Sequence, residues 1–454
     1  MKRTIYLLVC TLLSVRLFAQ EKPIQSFSLK QAVEFAKKNN YALKNNQLDV
    51  LAAQKKVKEI LSSGLPQVSA TGNFINNTTI ATQVLPNFLK PTFVQLGMPG
   101  ANELSDFIPA QFGQKFSATG SISASQLLFD GGFLMGVKAA KEYVALAEIN
   151  VNRGNIETEV NVSKAYYAVL LLQTNVKLLT TNLETLTKAK GDMEKLYKAG
   201  LVEKTDFDRI TLQQSTIDVT RSKIADQQRI ASMILKLQLG MNVNDSILLT
   251  DDLQKMFTSV QTVAVESKAD YNKRTEYQLL NQSIKLNTLD KKRYQYGYAP
   301  SLVAIAATQR NTFGSNFSDL GNTWFPGTYW GLNLSIPIFD GLRKSAQIQQ
   351  SKINITKAEN DKKTMENVIE QQVLQSKLTF LRTGEQLAIQ EKNMTLAQDI
   401  YDRVQLKYKN GVGSSLELTI SQNDLETART NYLSTVYDYF VAQLELRKAM
   451  GDIK

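Results

Sequence analysis

Carboxylates and amines are the abundant reactive side chains of this sequence, with 42 Asp and Glu and 53 Lys and Arg in 454 residues. The chain contains no His and one Cys, Cys10. A His general base, a Ser-His-Asp or Cys-His arrangement and a His-ligated zinc or haem are therefore excluded. One Cys near the N-terminus supplies no Cys-based zinc site, iron–sulfur cluster or internal disulfide. We expect no cofactor and no metal, and most classes of enzyme are disfavoured.

Two Asp residues occupy equivalent Phe-Asp-Gly sequences. Asp130 precedes Gly131, and Asp340 precedes Gly341. An Asp at the boundary between a strand and a helix can accept hydrogen bonds from the first free backbone N–H groups of the helix. We therefore interpret both as helix caps in strand–helix turns and not as ligands.

Two further acids follow turn-forming glycines at the same interval. Asp206 follows Gly200, and Glu417 follows Gly411. Each could be an acid in the first turn of a helix, stabilised by the helix dipole, with Thr205 as the cap in the first case. A functional role for the carboxylates is the other interpretation, and the residues alone leave both open.

Residues 1–19 have the layout of a secretory signal peptide. A basic start is followed by the apolar run 5–13, and Ala19 offers a small residue before the cleavage point. The run is too short to cross a bilayer as a helix, and no later stretch is long and apolar enough to do so. An N-terminal core helix is the alternative, while lipidation at Cys10 is disfavoured because a bulky Val precedes it. The protein is expected to leave the cytoplasm and to float, attach to a surface or span a membrane as a β-barrel.

The chain carries an internal duplication. Three segments of the first half have a similar counterpart in the second half: Leu128–Gly131 with Ile338–Gly341, Tyr197–Leu201 with Tyr408–Val412, and Leu239–Gly240 with Met450–Gly451. Their nearly constant interval predicts a first structural repeat over 20–252 and a second over 253–454. The first repeat holds extra residues within 79–115, where several Pro and Gly indicate a long loop.

Each repeat is predicted to run helix, strand, loop, strand, long helix, tight turn, helix. The predicted strands are 66–73, 116–129, 301–312 and 330–338. In 116–129 the even positions are mostly apolar, and the odd positions from 117 to 125 are Ser or Thr. This alternation indicates one apolar and one polar face, as in a lipid-facing barrel strand or in a soluble half-buried sheet. An aromatic cluster typical of a membrane interface lies at Trp324, Phe325, Tyr329 and Trp330.

The predicted helices are long, and they follow a coiled-coil pattern. Their ranges are 29–63, 132–197 and 205–239 in the first repeat, and 274–298, 342–408 and 414–450 in the second. From Val176 to Tyr197, and again up to Tyr408, seam residues recur at alternating steps of three and four. The longest helices would each reach about 100 Å, and two shorter helices stacked end to end match each of them. The tip turns are predicted at 198–204 and 409–413.

Four strands cannot close a barrel. The two open edges would leave backbone groups unpaired in lipid, at high cost. Three chains would supply twelve strands, an even number within the range of known barrels. The pattern therefore favours assembly of the chain with itself.

In their order, duplication and spacing, these motifs resemble the TolC family of outer membrane efflux proteins. The likeness rests on the signal peptide, Leu65-Pro66, the twin Phe-Asp-Gly turns, the twin Tyr-x-x-Gly tips and the paired helix ends 235–240 and 446–451. It spans about residues 27–451. It implies a mixed α and β membrane protein, a homotrimer with four barrel strands per chain. These would close a twelve-stranded β-barrel in the outer membrane of a Gram-negative bacterium, continued by a long α-helical coiled-coil periplasmic tunnel.

The resemblance also implies a function and partners. It implies passive export of small molecules, with protein export by a type I secretion system as the main variant. An inner-membrane transporter would deliver cargo through a periplasmic adaptor protein, and outer membrane lipid would surround the barrel. No nucleic-acid partner is implied, and the dispersed net charge of +11 adds no support for one.

The resemblance places an iris-like gate at the two helix tips. Asp206 matches a gate-linking Asp of the family, Tyr408 matches its Tyr partner, and Glu417 matches an acidic ring position. A carboxylate near a threefold axis occurs three times at close range and would form an anionic ring that favours cations. Gly413 and Ile420 depart from the family pattern, since some members have an Arg and a second acidic ring there. What holds the tips closed, and the preference for cations, are therefore open.

Six tip residues match the region that docks the adaptor. They are Gly200, Leu201, Val202, Gly411, Val412 and Gly413. Both tip tyrosines, Tyr197 and Tyr408, also fit seam positions, which leaves a purely structural role open for them.

Two other readings of the whole chain compete. A secreted coiled-coil structural or adhesion protein without a pore would explain the helices and the signal peptide, but not the apolar strand faces repeated in both halves. An exported glycosidase using paired carboxylates would need a cleft that heptad helices do not provide. No Walker-type loop or dinucleotide-binding glycine motif occurs in the sequence.

Overall fold

The computed structural model describes residues 25–253, 256, 270–410 and 412–453. The predicted signal peptide, including Cys10, and the turn residue Gly411 lie outside these residues. The chain divides into two compact units. The helical unit comprises the described parts of Met1–Ala52, Val144–Ile284 and Lys357–Lys454, and the strand unit comprises Ala53–Tyr143 and Lys285–Thr356.

The predicted order of elements occurs in both halves of the chain. The first half contains β1 (Gln25–Phe27), α1 (Leu29–Asn39), α2 (Tyr41–Ser62), β2 (Gln67–Asn76), β3 (Thr82–Pro86), α3 (Lys90–Gln95), β4 (Phe107–Gln111), β5 (Phe116–Phe129), α4 (Gly131–Lys198), α5 (Lys204–Leu239) and β6 (Ile247–Leu249). The second half contains α6 (Thr275–Tyr296), β7 (Ser301–Gly314), β8 (Phe325–Ser335), α7 (Arg343–Lys409) and α8 (Ser415–Met450). Among the described residues, short 3-10 turns lie at Ala101–Glu103, Tyr271–Lys273 and Phe317–Asp319.

The strand unit is built on an antiparallel sheet of order β2-β5-β7-β8, which confirms four barrel-type strands per chain. Successive side chains of a strand point to opposite faces, so the register fixes both faces of the sheet. Thr71 is paired with Ser121, and Ser121 with Gln309, which gives one polar face. Ala70 is paired with Ile122 on the other face, which is largely apolar. The four strands contain one charged residue, Arg310, and it lies on the apolar face.

The sheet divides the predicted aromatic cluster between its two faces. Trp330, which is 82% exposed, is paired with Ala306 on the apolar face. Tyr329 and Phe325 lie an odd number of residues away on the same strand and therefore belong to the polar face. β8 also begins earlier than the alternation predicted, at Phe325. A girdle facing lipid can therefore include Trp330 but not the whole cluster.

The extra residues of the first repeat are not the long loop that was predicted. Within 79–115 the chain forms the antiparallel pair β3–β4, the short helix α3 and a 3-10 turn. Gly97 and Gly100 lie in turns at positive φ. Pro86 and Pro109 lie within the two strands, and Pro91 lies near the start of α3.

The helix predicted over 29–63 is interrupted at Asn40. The Asn40 backbone is extended (φ −58°, ψ 126°), and its side-chain oxygen accepts a hydrogen bond from the Leu43 N–H at 3.2 Å. Its side-chain amide donates to the Gln238 carbonyl at 2.8 Å, near the end of α5. Gly240 has φ 73°, and a Cβ there would collide with the Asn39 carbonyl. The break is thus fixed by a close contact between α1 and α5, which periodicity could not reveal.

The main core of the helical unit lies where β1, α1, α4, α5 and α8 meet. β1 pairs in parallel with β6, in the segment between the two repeats where only a small connection had been predicted. The hydroxyl of the fully buried Tyr166 lies 2.9 Å from both the Phe27 carbonyl oxygen and the Asp251 carboxylate, which share its one proton. The same carboxylate accepts from the Leu29 N–H at 2.7 Å, so it also satisfies the start of α1.

A second core follows the predicted coiled-coil seam. Leu179, Leu186 and Met193 of α4 pack with Ile210 and Ile217 of α5, and all five are buried. This packing confirms the heptad assignment for the first repeat. None of the helices in the described part of the chain is apolar over a length that could cross a membrane.

Candidate functional site

The first tip is a compact turn between α4 and α5. The Gly200 N–H donates to the Tyr197 carbonyl, and the Leu201 N–H donates to the Leu196 carbonyl, both at 2.9 Å. With Gly200 at φ 71°, this is a Schellman motif, which needs a residue without a Cβ at that place. The Leu201 side chain is left 71% exposed. Val202 is not free, because it packs against the α4–α5 seam.

The second tip repeats the backbone pattern of the first. The Val412 N–H donates to the Lys407 carbonyl at 3.0 Å, which is the equivalent of the Leu201 bond. Val412 is 78% exposed, as Leu201 is at the first tip. A Cβ added at Gly413 would lie 2.9 Å from the Tyr408 backbone nitrogen. The turn therefore has no room for the Arg that some family members carry here.

Asp206 is connected to the second tip through Ser415. The Ser415 hydroxyl donates to Asp206 Oδ1, and Arg209 Nη1 donates to the same hydroxyl oxygen at 3.4 Å. Asp206 lies in the first turn of α5, and Ser415 is the first residue of α8. The predicted cap Thr205 is wrong: Glu203 occupies the cap position of α5, and Thr205 donates its hydroxyl to the Glu203 side chain.

Tyr408 also contacts the first hairpin, but through a different partner from the one implied by the resemblance. Its hydroxyl donates to Met193 Sδ at 3.6 Å, and its ring packs against the α4–α5 seam. Burial, together with the negative charge of Asp206, raises the pKa of Tyr408 above its ordinary value, so the phenol stays neutral. Asp206 and Tyr408 are thus neighbours, but Asp206 is hydrogen-bonded to Ser415 and Tyr408 to Met193.

Glu417 lies in the first turn of α8 beside a cation. Its N–H donates to Ser414 Oγ at 3.1 Å, so Ser414 caps the helix. Its carboxylate lies 4.0 Å from Lys407 Nζ across the turn. Ile420, one turn further along, is exposed. Each Glu417 charge is therefore partly balanced within its own chain, which weakens an anionic ring built from this residue.

A partly buried polar network ties three helices together further from the tips. Asn182 of α4 donates to Glu426 at 2.8 Å and accepts from Gln422 at 2.7 Å, both on α8. Arg429 joins Glu426 at 3.1 Å and donates to Gln398 of α7 at 2.6 Å. Burial raises the pKa of Glu426, and the adjacent Arg429 opposes that shift. Networks of this kind fix the register of packed helices because every member depends on the others.

Sequence reasoning missed Ser415, Arg209, Met193 and this network. Ser414 with Glu417 is a Ser-x-x-Glu sequence, the signature of a helix start, and it could have placed the first turn of α8. Nothing local marks Ser415 as the partner of Asp206, since the contact joins distant parts of the chain.

The Phe-Asp-Gly turns in the strand unit place both Asp side chains at helix starts. Asp130 Oδ1 accepts from the Phe133 N–H at 2.5 Å, and Asp340 Oδ2 accepts from the Lys344 N–H at 3.2 Å. A Cβ at Gly131 would lie 2.7 Å from the Tyr296 carbonyl oxygen, and Gly341 has φ 67°. These residues order the strand–helix turns.

The described residues contain no cluster of three or more His, Cys, Asp or Glu side chains that could hold a metal ion. The tips instead have exposed apolar side chains at Leu201 and Val412. Hydrogen bonds join Asp206, Ser415 and Arg209, and the neutral Tyr408 phenol contacts the Met193 thioether. Such an arrangement can hold two hairpins together and release them without any bond-making chemistry.

A family model described as "Outer membrane efflux protein" matches residues 32–241 and 295–452. The outer membrane protein TolC of Salmonella enteritidis is 18% identical over 440 residues, which cover 94% of this chain and 83% of that protein. The probable efflux pump outer membrane protein TtgC of Pseudomonas putida is 22% identical, with 93% and 83% covered. Among solved structures, a membrane protein from Pseudomonas aeruginosa superposes with a TM-score of 0.71 at 15% identity and covers 93% of this chain and 92% of that one.

Proposed function

This chain belongs to the outer membrane efflux protein family, and from that membership we propose that three copies form the exit duct of a tripartite efflux pump. The duct passively releases small molecules that an inner-membrane transporter delivers through a periplasmic adaptor. A type I secretion system, which exports proteins through the same kind of duct, is the main variant. The chain acts without catalysis, and the family membership favours a channel over a scaffold, an adhesin or a glycosidase.

The observation that carries the proposal is the open sheet with an apolar face. β2 and β8 each pair on one side only, while Val68 on β2 and Leu332 on β8 lie exposed on the apolar face. Unpaired strand edges are very costly in lipid, so the edges of neighbouring copies must meet. Three copies supply twelve strands, within the range of known barrels. Arg310 lies near the strand ends farthest from the helices, where a long cation can reach the lipid headgroups.

Exposed apolar residues on two helices also support self-association. On α5, Leu212 and Val219 are exposed one heptad apart, on the side away from the seam residues Ile210 and Ile217. On α7, Ile389 and Leu396 are likewise exposed one heptad apart. An apolar stripe at heptad spacing is a coiled-coil surface without its partner. Neighbouring copies would cover both stripes and close the helices into the periplasmic tunnel.

The tips are the proposed gate. Asp206, Ser415 and Arg209 link the two hairpins of one copy, and Tyr408 packs on Met193 beside them. Opening separates these contacts so that the hairpins can swing apart. The exposed Leu201 and Val412 side chains are the proposed first contacts of the adaptor.

The test is assembly followed by conductance. Cells expressing the full chain are fractionated, the outer membrane is cross-linked, and the detergent extract is sized and reconstituted into planar bilayers. We expect a trimer in the outer membrane fraction that conducts ions. A soluble or monomeric product would contradict the barrel, and a trimer without conductance would contradict the duct.

A further inference from the structure

The extra segment of the first repeat is an ordered structure in its own right. Residues 77–115 connect β2 to β5, whereas the connection between β7 and β8 spans only 315–324. Lys90 Nζ pairs with Asp106 at 2.7 Å, and the Asn87 side chain donates to the Ser105 carbonyl at 2.9 Å. The Asn87 N–H donates to the Asp106 carbonyl at 2.8 Å. The β3–β4 pair is thus held by its own backbone hydrogen bonds and also by side-chain and backbone contacts just beyond the pair Pro86–Phe107.

One face of this pair is exposed and largely apolar, with the polar pair Thr82 and Gln111 at one end. Val84 is paired with Pro109, and Pro86 with Phe107, so all four side chains lie on one face. Val84 is 66% exposed and Phe107 is 57% exposed. The opposite face carries Leu85, Ile108 and Ala110, which are partly buried. β3 and β4 contain no charged residue that would discourage association through this face or through the strand edges.

The pair continues the free edge of the main sheet. The ladder of β2 with β5 reaches Asn76 opposite Phe116 and is extended by the Asn77 N–H, which donates to the Lys115 carbonyl at 2.7 Å. β3 is the next strand along the chain, and β2 is an edge strand that pairs only with β5 within the described residues. In the proposed trimer that edge meets β8 of the next copy. The β3–β4 pair therefore stands at the junction between copies, at the strand ends farthest from the helices.

The other side of that junction is also apolar. β8 begins at Phe325, and Trp324 just before it is an exposed aromatic residue. Phe317 of the same connection instead packs its ring against Phe74 and Phe116 of its own chain. Residues 77–115 contain two Lys and two acidic residues, so no net charge favours an ionic surface as the partner. A surface that is uncharged, apolar and placed at a subunit seam fits a second copy of the same chain.

We propose that the face formed by Val84, Pro86, Phe107 and Pro109 packs against Trp324 and the adjoining start of β8 in the neighbouring copy, forming a collar around the outer mouth of the barrel. This inference rests on the proposed trimer. The collar joins copies beyond the last strand ladder, at the end of the barrel that faces away from the periplasm.

The test is thiol labelling of the intact trimer. The one native Cys is in the predicted signal peptide, so a Cys10→Ser background gives clean single-cysteine variants. Val84→Cys probes the proposed contact, and Gln83→Cys, the adjacent exposed residue on the opposite face, is the matched control. A hydrophilic maleimide is applied to whole cells and to the purified trimer. We expect Val84→Cys to react at least about tenfold more slowly than Gln83→Cys in both, and equally fast after denaturation.

The outcomes separate the collar from the duct. Equal labelling of both variants in a cross-linkable trimer would overturn the collar and leave the duct standing. Protection of Val84→Cys on cells but not in the purified trimer would mean that another molecule covers the face, which also overturns it. Absence of any trimer would overturn the proposed function itself. As a second measurement, a short bismaleimide should join chains of the double variant Val84→Cys with Trp324→Cys, and a link confined to single chains would contradict the contact.

Discussion

The Ser415 hydroxyl donates a hydrogen bond to the Asp206 carboxylate and so joins the first turns of α8 and α5, which lie 209 residues apart in the chain. The Arg that some family members use at the position of Gly413 is absent. Arg209, on the same helix as Asp206, supplies a guanidinium to the hydroxyl instead. The Asp206 carboxylate therefore accepts a hydrogen bond from a hydroxyl that a guanidinium of its own helix contacts.

Ser415→Ala should loosen the closed state. A half-buried hydrogen bond to a carboxylate contributes about 1 kcal/mol, or about fivefold in the ratio of closed to open tips. We expect greater sensitivity to bulky antibiotics such as vancomycin and more frequent openings in single-channel recordings. Ser415→Thr keeps the hydroxyl and serves as the control. Equal behaviour of the two variants would remove Ser415 from the gate.

Asp206→Ala combined with Tyr408→Phe should make cells leakier to bulky antibiotics. Most of the effect should come from Asp206, because the Tyr408 hydroxyl contacts only a thioether. Asp206→Ala and Ser415→Ala should also be non-additive, since each removes the same bond. Drug sensitivity that stays at the wild-type level at normal expression would count against the gate assignment.

Gly413→Arg should weaken the tip and not restore the family's link. The new Cβ would lie 2.9 Å from the Tyr408 nitrogen, so the turn must shift. Gly413→Ala adds the same Cβ without a guanidinium and should show the same increase in chymotrypsin cleavage at the tip, a protease for which neither variant adds a site. A tighter, less leaky channel with Gly413→Arg alone would show that the turn accommodates the side chain.

Val219→Glu should impair trimer assembly. The residue is exposed in one copy and lies on the proposed intersubunit stripe of α5, where a carboxylate would be buried without a partner. Thr220→Glu, at the adjacent exposed position but turned away from the stripe, is the control. The yield of cross-linked trimer measures the effect. Normal trimer yield from Val219→Glu would place the interface elsewhere.

Asp438→Asn should stabilise the protein at neutral pH. Burial raises the pKa of Asp438, so the folded state holds its proton more tightly than the unfolded state does. That contribution to stability is complete below the unfolded value near 3.8 and is lost as the pH rises through the folded value. The amide should therefore raise the melting temperature at pH 7 and change it little at pH 3.5. Asp424→Asn, at an exposed position on the same helix, is the control.

Periodicity alone predicted most of the fold. The alternation over 116–129 gives the observed β5, and the bounds of the long helices fall within two residues of α4, α5, α7 and α8. These elements obey their local patterns because each presents one face to a partner along its whole length. A contact with one atom from a distant part of the chain leaves no trace in the local sequence pattern. The helix break at Asn40 is an example, because the Asn40 side chain bonds the Gln238 carbonyl.

The candidate site was predicted in outline only. Gly200 was identified as a turn former, and Asp206 was placed at the start of a helix. The bonds that each acid makes depend on how two hairpins approach each other, and that approach brings in Ser415 and Met193. The β3–β4 pair was missed for a related reason, because its ladder joins two short strands across an interval rich in turn residues.

The polar face of the sheet is neutral throughout. Ser69 bonds Ser123 at 2.9 Å and Thr71 bonds Ser121 at 2.7 Å, and the side chains that share this face along the four strands include no acid or base. Hydroxyls that bond one another have little left to offer a passing solute. In the proposed duct this uncharged face would line the barrel, where it would neither retain anions nor repel cations. Selection of the cargo would then lie with the proposed inner-membrane transporter.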